Sequence, residues 1–171
     1  IMVIVSSSRD RAIIAMLIFN KLLYHRKAVL QIVNNMPNDM EYKNITVEEI
    51  AAGLNTAIGL DVLPRVALGF YKAAWPWSKA YARTFTGNPR KMQLNTRNLN
   101  RTLESIVGSI AHEWGHCFEF YWKQEINKND FFNHGDNTRK DNTFQYQLGI
   151  KVKEYVRAYK EELLREIGYI R

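Results

Sequence analysis

Between Thr102 and Trp122 the apolar residues Leu103, Ile106, Val107, Ile110, Trp114 and Phe118 recur at the spacing of one helix face. Thr102 is a suitable N-cap, and Glu104 suits the positive end of the helix dipole. This predicts a helix with one buried stripe, around which the rest of the chain must pack. The same helix carries His112-Glu113-Trp114-Gly115-His116, the pattern HExxH. Four residues is slightly more than one turn, so both imidazoles leave the same face.

Two neutral imidazoles so placed can bind one zinc ion. Glu113 follows the first of them, where its carboxylate can reach a water on the open side of the metal. Zinc lowers the pKa of that water, and the carboxylate takes its proton as the water attacks a carbonyl. The expected metal ligands are therefore His112 and His116, with Glu113 as the catalytic base. Gly115 inside a helix weakens it, and close packing against a neighbouring element would account for it.

A catalytic zinc has three protein ligands. His134, in the segment Phe131-Phe132-Asn133-His134-Gly135-Asp136, is the candidate for the third. Three of the four histidines then fall within a 23-residue stretch. Asp130 and Asp136 are rival oxygen ligands, with Glu119 and Glu125 weaker rivals. Tyr121, Arg139 and Tyr146 are candidates to stabilise an oxyanion. His25, between Tyr24 and Arg26, reads as structural. Cys117 adjoins His116, but helix geometry turns it about 100° from the metal.

Elsewhere Arg9 to about Asn34 reads as one helix, closed by the breaker Asn34 to Asp39. Thr46-Val47-Glu48-Glu49 has the form of a capping box opening a second helix, whose stripe is Ile50, Leu54 and Ile58. Arg65 to Tyr71, Ala80 to Thr86 and Lys91 to Leu99 are strand candidates, the last with Met92 and Leu94 alternating against polar neighbours. Trp75 and Trp77 read as core or as a strand connection rather than a substrate platform. Asn127 to Thr143 reads as a long polar loop, followed by a final helix from about Phe144 to Ile167. The fold class is α+β: a small, twisted, mainly antiparallel sheet packed with the active-site helix and flanked by N- and C-terminal helices. One domain is expected over residues 1–171, with an N-terminal helical segment to about 45 and a catalytic core from about 46 to 160.

A chain of 171 residues with 46% hydrophobic and 24% charged residues can bury a substantial core. Its single cysteine excludes an internal disulfide and a cysteine-built zinc site, so a reducing cytoplasm is the default compartment. The early apolar run Ala12 to Phe19 is too short to span a bilayer, and no membrane association is expected. With 24 Lys and Arg against 17 Asp and Glu, the formal charge of +7 leaves nucleic acid open as a partner beside a protein or peptide substrate. The basic residues read as spread along the chain, with no single tract marking a site.

Lys91-Met92-Gln93-Leu94-Asn95, a short connection and a helix bearing HEWGH together resemble the core of the zincin metallopeptidases, over about residues 46 to 160. The resemblance implies a zinc-dependent endopeptidase in which Met92 to Thr96 forms an edge strand that pairs with an extended substrate. The metzincin pattern fails, because its later Gly and His positions hold Glu119 and Trp122 here. No Glu partner at the thermolysin-like distance is evident. Among zincins the chain is most similar to the SprT-like group, which includes the Spartan proteases: there an HExxH is followed by a His-Gly that supplies the third ligand, a role His134-Gly135 fits, with Phe144 opening the next helix. The spacer after His134 is longer than in that group, and its Cys-rich zinc ribbon has no counterpart. The group's cleavage of DNA-bound proteins is in keeping with the +7 charge. Two other classes stand beside the peptidase: a non-catalytic zinc-binding interaction module, and a basic nucleic-acid-binding protein with incidental histidines.

Overall fold

A computed structural model describes residues 8–37, 41–42, 45–59, 67–85, 88–126 and 143–171. These form an α+β arrangement of five helices, a three-stranded mixed sheet and a two-stranded ribbon.

The expected N-terminal helix is two helices, α1 (Ser8–Tyr24) and α2 (Arg26–Asn34). His25 breaks it: its backbone is extended, and its Nδ1 accepts a hydrogen bond from the Ala28 amide at 3.2 Å. An N-cap side chain satisfies an amide that has no partner within the new helix, so the chain can restart at an angle. Strands β1 (Glu41–Tyr42) and β2 (Ile45–Thr46) pair antiparallel. Helix α3 (Val47–Gly59) then opens on the capping box read from its sequence. The Glu49 amide donates to the Thr46 hydroxyl at 3.2 Å, and the Thr46 amide donates to the Glu49 carboxylate at 2.9 Å.

Strands β3 (Ala67–Tyr71), β4 (Ala82–Phe85) and β5 (Asn88–Asn95) make the sheet, in the order β3-β5-β4. Strand β5 is parallel to β3 and antiparallel to β4, so the sheet is mixed rather than mainly antiparallel. The segment Met92 to Thr96 is correspondingly not an edge. Its residues 92–95 lie in the central strand, with Met92 and Leu94 buried, and residue 96 begins a 3₁₀ turn (Thr96–Asn98). The strand with no described neighbour on its far side, next to the helix that bears HExxH, is β4. A register shift between Thr84 and Phe85 gives β4 a local irregularity of the kind that re-aims side chains beside sites.

Helix α4 (Leu103–Tyr121) starts where its cap predicted, with the Thr102 hydroxyl accepting from the Ser105 amide, and runs into a π-helical turn, Trp122–Ile126. It is the hub of the core. Trp114 meets Phe19 of α1 edge-on at 5.9 Å between centroids, and stacks on Phe118. The apolar stripe of α5 (Phe144–Glu166), including Leu148, Val152 and Val156, is buried in the same cluster, as are Met92 and Leu94 of β5. No described helix is long and apolar enough to cross a membrane.

Helices α4 and α5 touch backbone to backbone. A β-carbon on Gly108 would lie 2.8 Å from the Gly149 carbonyl oxygen, and one on Gly149 would lie 2.8 Å from that of Gly108. Gly115 fits against Gln145 in the same seam, where a β-carbon would lie 3.2 Å from Cγ, which supplies the close packing expected for a glycine within the motif. Backbone cannot move aside as a side-chain tip can. Gly108→Ala should therefore lose stability by about 1–3 kcal/mol of overpacking, against about 1 kcal/mol of helix propensity gained. Urea denaturation midpoints check this; a more stable Gly108→Ala would mean the helices separate at little cost.

Candidate active site

His112, Glu113, His116 and Cys117 lie on adjoining strips of α4, between β4 on one side and the first turns of α5 on the other. The two imidazole centroids are 5.1 Å apart. Two imidazoles bound through nitrogen at about 2.0–2.1 Å to one tetrahedral zinc place their centres about 5 Å apart, a separation this pair matches. Both rings are partly exposed, which leaves a side open to a ligand.

His116 is oriented from behind. Its Nδ1 lies 3.5 Å from Oε2 of Glu119, and Gln145 of α5 donates to the same carboxylate oxygen at 3.4 Å. A carboxylate facing Nδ1 keeps the proton there and leaves the Nε2 lone pair for a metal, the usual arrangement behind a metal-binding histidine. Glu119 thus contacts His116 one helical turn away, on the Nδ1 side of its ring. His112 is held from the other side, its ring 4.5 Å from that of Tyr146 in a T-shaped contact, and its Cβ would meet a side chain at Gly149 at 3.3 Å.

Glu113 is 8% exposed. The Thr84 hydroxyl of β4 donates to its Oε2 at 2.5 Å and lies 3.2 Å from its backbone carbonyl. Burial raises the Glu113 carboxyl above the usual range, while the nearby His116 and the Thr84 hydrogen bond pull it back. The carboxylate is therefore desolvated, fixed in direction through one oxygen, and not neutralised by a salt bridge among the described residues. Cys117, one turn beyond Glu113, is 2% exposed, and burial beside Glu113 pushes its thiol up to about 12. It is an inert thiol on the β4 side of the helix, away from the imidazole pair.

Of the expected metal ligands, His112 and His116 come together as read. His134 lies outside the described residues, as do Asp130, Asp136 and Arg139. Among the described residues, no group of three His, Cys, Asp or Glu side chains gathers as a complete cage. Tyr146 stands beside His112, while Tyr121 stacks on Phe118 at 6.2 Å. Thr84 is the site residue that sequence reading missed. Its one local signal is strand alternation next to the exposed Arg83.

Trp75 and Trp77 belong to the β3–β4 connection and not to the core: they are 65% and 73% exposed, and stacked on each other at 5.3 Å. Asn95, wholly buried, anchors that connection. Its Oδ1 accepts from the Ala73 amide at 3.2 Å, and its Nδ2 donates to the Ala80 carbonyl at 2.8 Å. A separate cleft of about 570 Å³, lined by Arg11, Arg101, Lys160 and Tyr169 among others, opens at the start of α4. It is about 15 Å along the helix from the histidines and takes no part in this site.

Comparison of the chain with protein-family models, with curated proteins and with solved structures returns no match in any of the three. The functional reading rests on the geometry of α4, β4 and α5.

Proposed function

We propose that the chain is a zinc-dependent endopeptidase of the zincin type. The observation that carries this is the coincidence, on one helix, of an imidazole pair at zinc spacing and a buried carboxylate fixed by a strand that forms the sheet edge. His112, His116 and His134 would hold the metal. When bound, the zinc supplies Lewis acidity toward a carbonyl oxygen and toward water.

The chain's own residues do the rest. Thr84 occupies Oε2 of Glu113, so Oε1 is the oxygen that takes the proton from the attacking water and passes it to the leaving amine. Burial removes competing solvent from that carboxylate and strengthens its basicity. Glu119 and Gln145 hold His116 in the tautomer that binds through Nε2. Tyr146, beside His112, is the oxyanion donor best supported by position. The substrate lies extended along β4, where main-chain hydrogen bonds fix its register over Glu113. A purely structural zinc site has no use for such a carboxylate, and closes with a fourth protein ligand. The narrower SprT-like assignment rests on His134-Gly135 and takes its support from sequence alone.

The test is metal content of the purified chain together with cleavage of an unfolded protein such as casein. About one zinc per chain, with activity lost on chelation and restored by added zinc, is the expected result. A chain that takes up no zinc on reconstitution would remove this reading.

A further inference from the structure

Across residues 62–103 the chain has eight Lys or Arg and no Asp or Glu, leaving 16 basic and 17 acidic residues for the rest. The basic residues are spread along the chain, but the net charge is not. It is concentrated in the segment that contains β3, β4, β5 and their connections.

The fold places this charge beside the site. Thr84 turns to Glu113, so its neighbour Arg83 turns to the opposite face of β4. There the Arg83 guanidinium donates twice to Oε1 of Gln93, at 3.0 and 2.7 Å, and lies over the rings of Tyr71 at 3.9 Å and Phe85 at 5.0 Å. Lys91 lies over Phe85 on the same face at 5.4 Å. Among the described residues, Lys72, Lys79, Arg83, Lys91 and Arg97 are all exposed and none is in an ion pair. Arg83 and Lys91 are held in place by rings and an amide, Arg97 donates to the Ala73 carbonyl, and of these cations Arg83 lies on β4, an edge with no described strand beyond it.

We propose that this edge selects acidic substrates: an extended peptide strand laid along β4, carrying Asp or Glu at the alternate positions that turn toward Arg83. The inference rests on the peptidase reading above. A strand added to β4 puts the side chain opposite Arg83 at about 4.5–5.5 Å between β-carbons, on the sheet face that carries the Arg83 and Lys91 charges. The intervening side chains turn to the α4 side, where Glu113 stands. Opposite charges across such a pair attract and like charges repel, so the edge discriminates against basic peptides as well as for acidic ones.

The experiment uses the zinc-loaded full chain and a library of unfolded peptides, with cleavage sites read by mass spectrometry. Asp and Glu should be enriched at alternate positions around the scissile bond. Arg83→Glu should lower kcat/KM for acidic peptides about tenfold and raise it for basic ones. Lys91→Glu should shift preference the same way, and serves if Arg83→Glu does not fold. Binding of a Glu-alternating peptide to the Glu113→Gln chain should weaken as NaCl rises from about 0.05 to about 0.5 M. Cleavage with no charge preference, or acidic peptides cut equally well by both variants, would overturn the proposal. So would displacement of the bound peptide by a single-stranded oligonucleotide of equal charge acting at the Trp75–Trp77 connection, which would assign the surface to nucleic acid. Salt-sensitive binding of the acidic peptide with no cleavage by the wild type would overturn the hydrolytic reading alone.

Discussion

Glu113→Gln is expected to lower peptide hydrolysis by about 10²–10⁴-fold with zinc content unchanged. The amide has the shape of the carboxylate, and its oxygen still accepts the Thr84 hydrogen bond, so position is preserved. Its nitrogen has no lone pair to take a proton, so the base is lost. The site favours such an exchange structurally, because Glu113 is nearly buried and an amide is cheaper to bury than a carboxylate. Stability should hold or rise while kcat falls. The measurement is kcat/KM beside zinc analysis of the same samples. Activity within tenfold of wild type would show that another group carries the proton.

His116→Ala is expected to weaken zinc binding by well over 100-fold, and Glu119→Gln by about 10–100-fold, the range for partners behind a ligand. The order of the two is the informative part. Removing His116 deletes a proposed ligand. Removing the charge at Glu119 leaves the imidazole but withdraws the carboxylate 3.5 Å from its Nδ1. Competition with a chromophoric chelator gives both values, and circular dichroism of the metal-free chains verifies that the partly exposed His116 was not holding the fold. A Glu119→Gln chain that binds zinc as tightly as wild type would leave Glu119 a packing residue only.

What the sequence made legible was local. Helix α4, its cap at Thr102 and the capping box at Thr46 and Glu49 depend on residues within one turn of each other, and each formed where it was read. Met92 and Leu94 were recognisable as an inward-facing pair. Which strands flank them was not, because pairing is decided by parts of the chain far apart in sequence: β5 became central through a parallel partner and an antiparallel one. His25 broke a continuous helical pattern through a side-chain hydrogen bond that periodicity does not register. Thr84 carries no catalytic signature; its role comes from lying beside α4. The basic segment was visible in the residues but hidden in a whole-chain charge, which averages it against a nearly neutral remainder.

The glycine contact between α4 and α5 has a bearing on how this chain can change. A methyl group at 149 would press on the Gly108 carbonyl oxygen and, at 3.3 Å, on the β-carbon of His112. The seam that sets the distance between two helices also sets where His112, a proposed metal ligand, stands. Replacing helical glycines by alanine is a common way to stabilise a protein. Applied here, it would move an imidazole by tenths of an ångström before it unfolded anything. Selection for stability and selection for the placement of His112 would thus act together at position 149, a residue outside the proposed metal and substrate contacts.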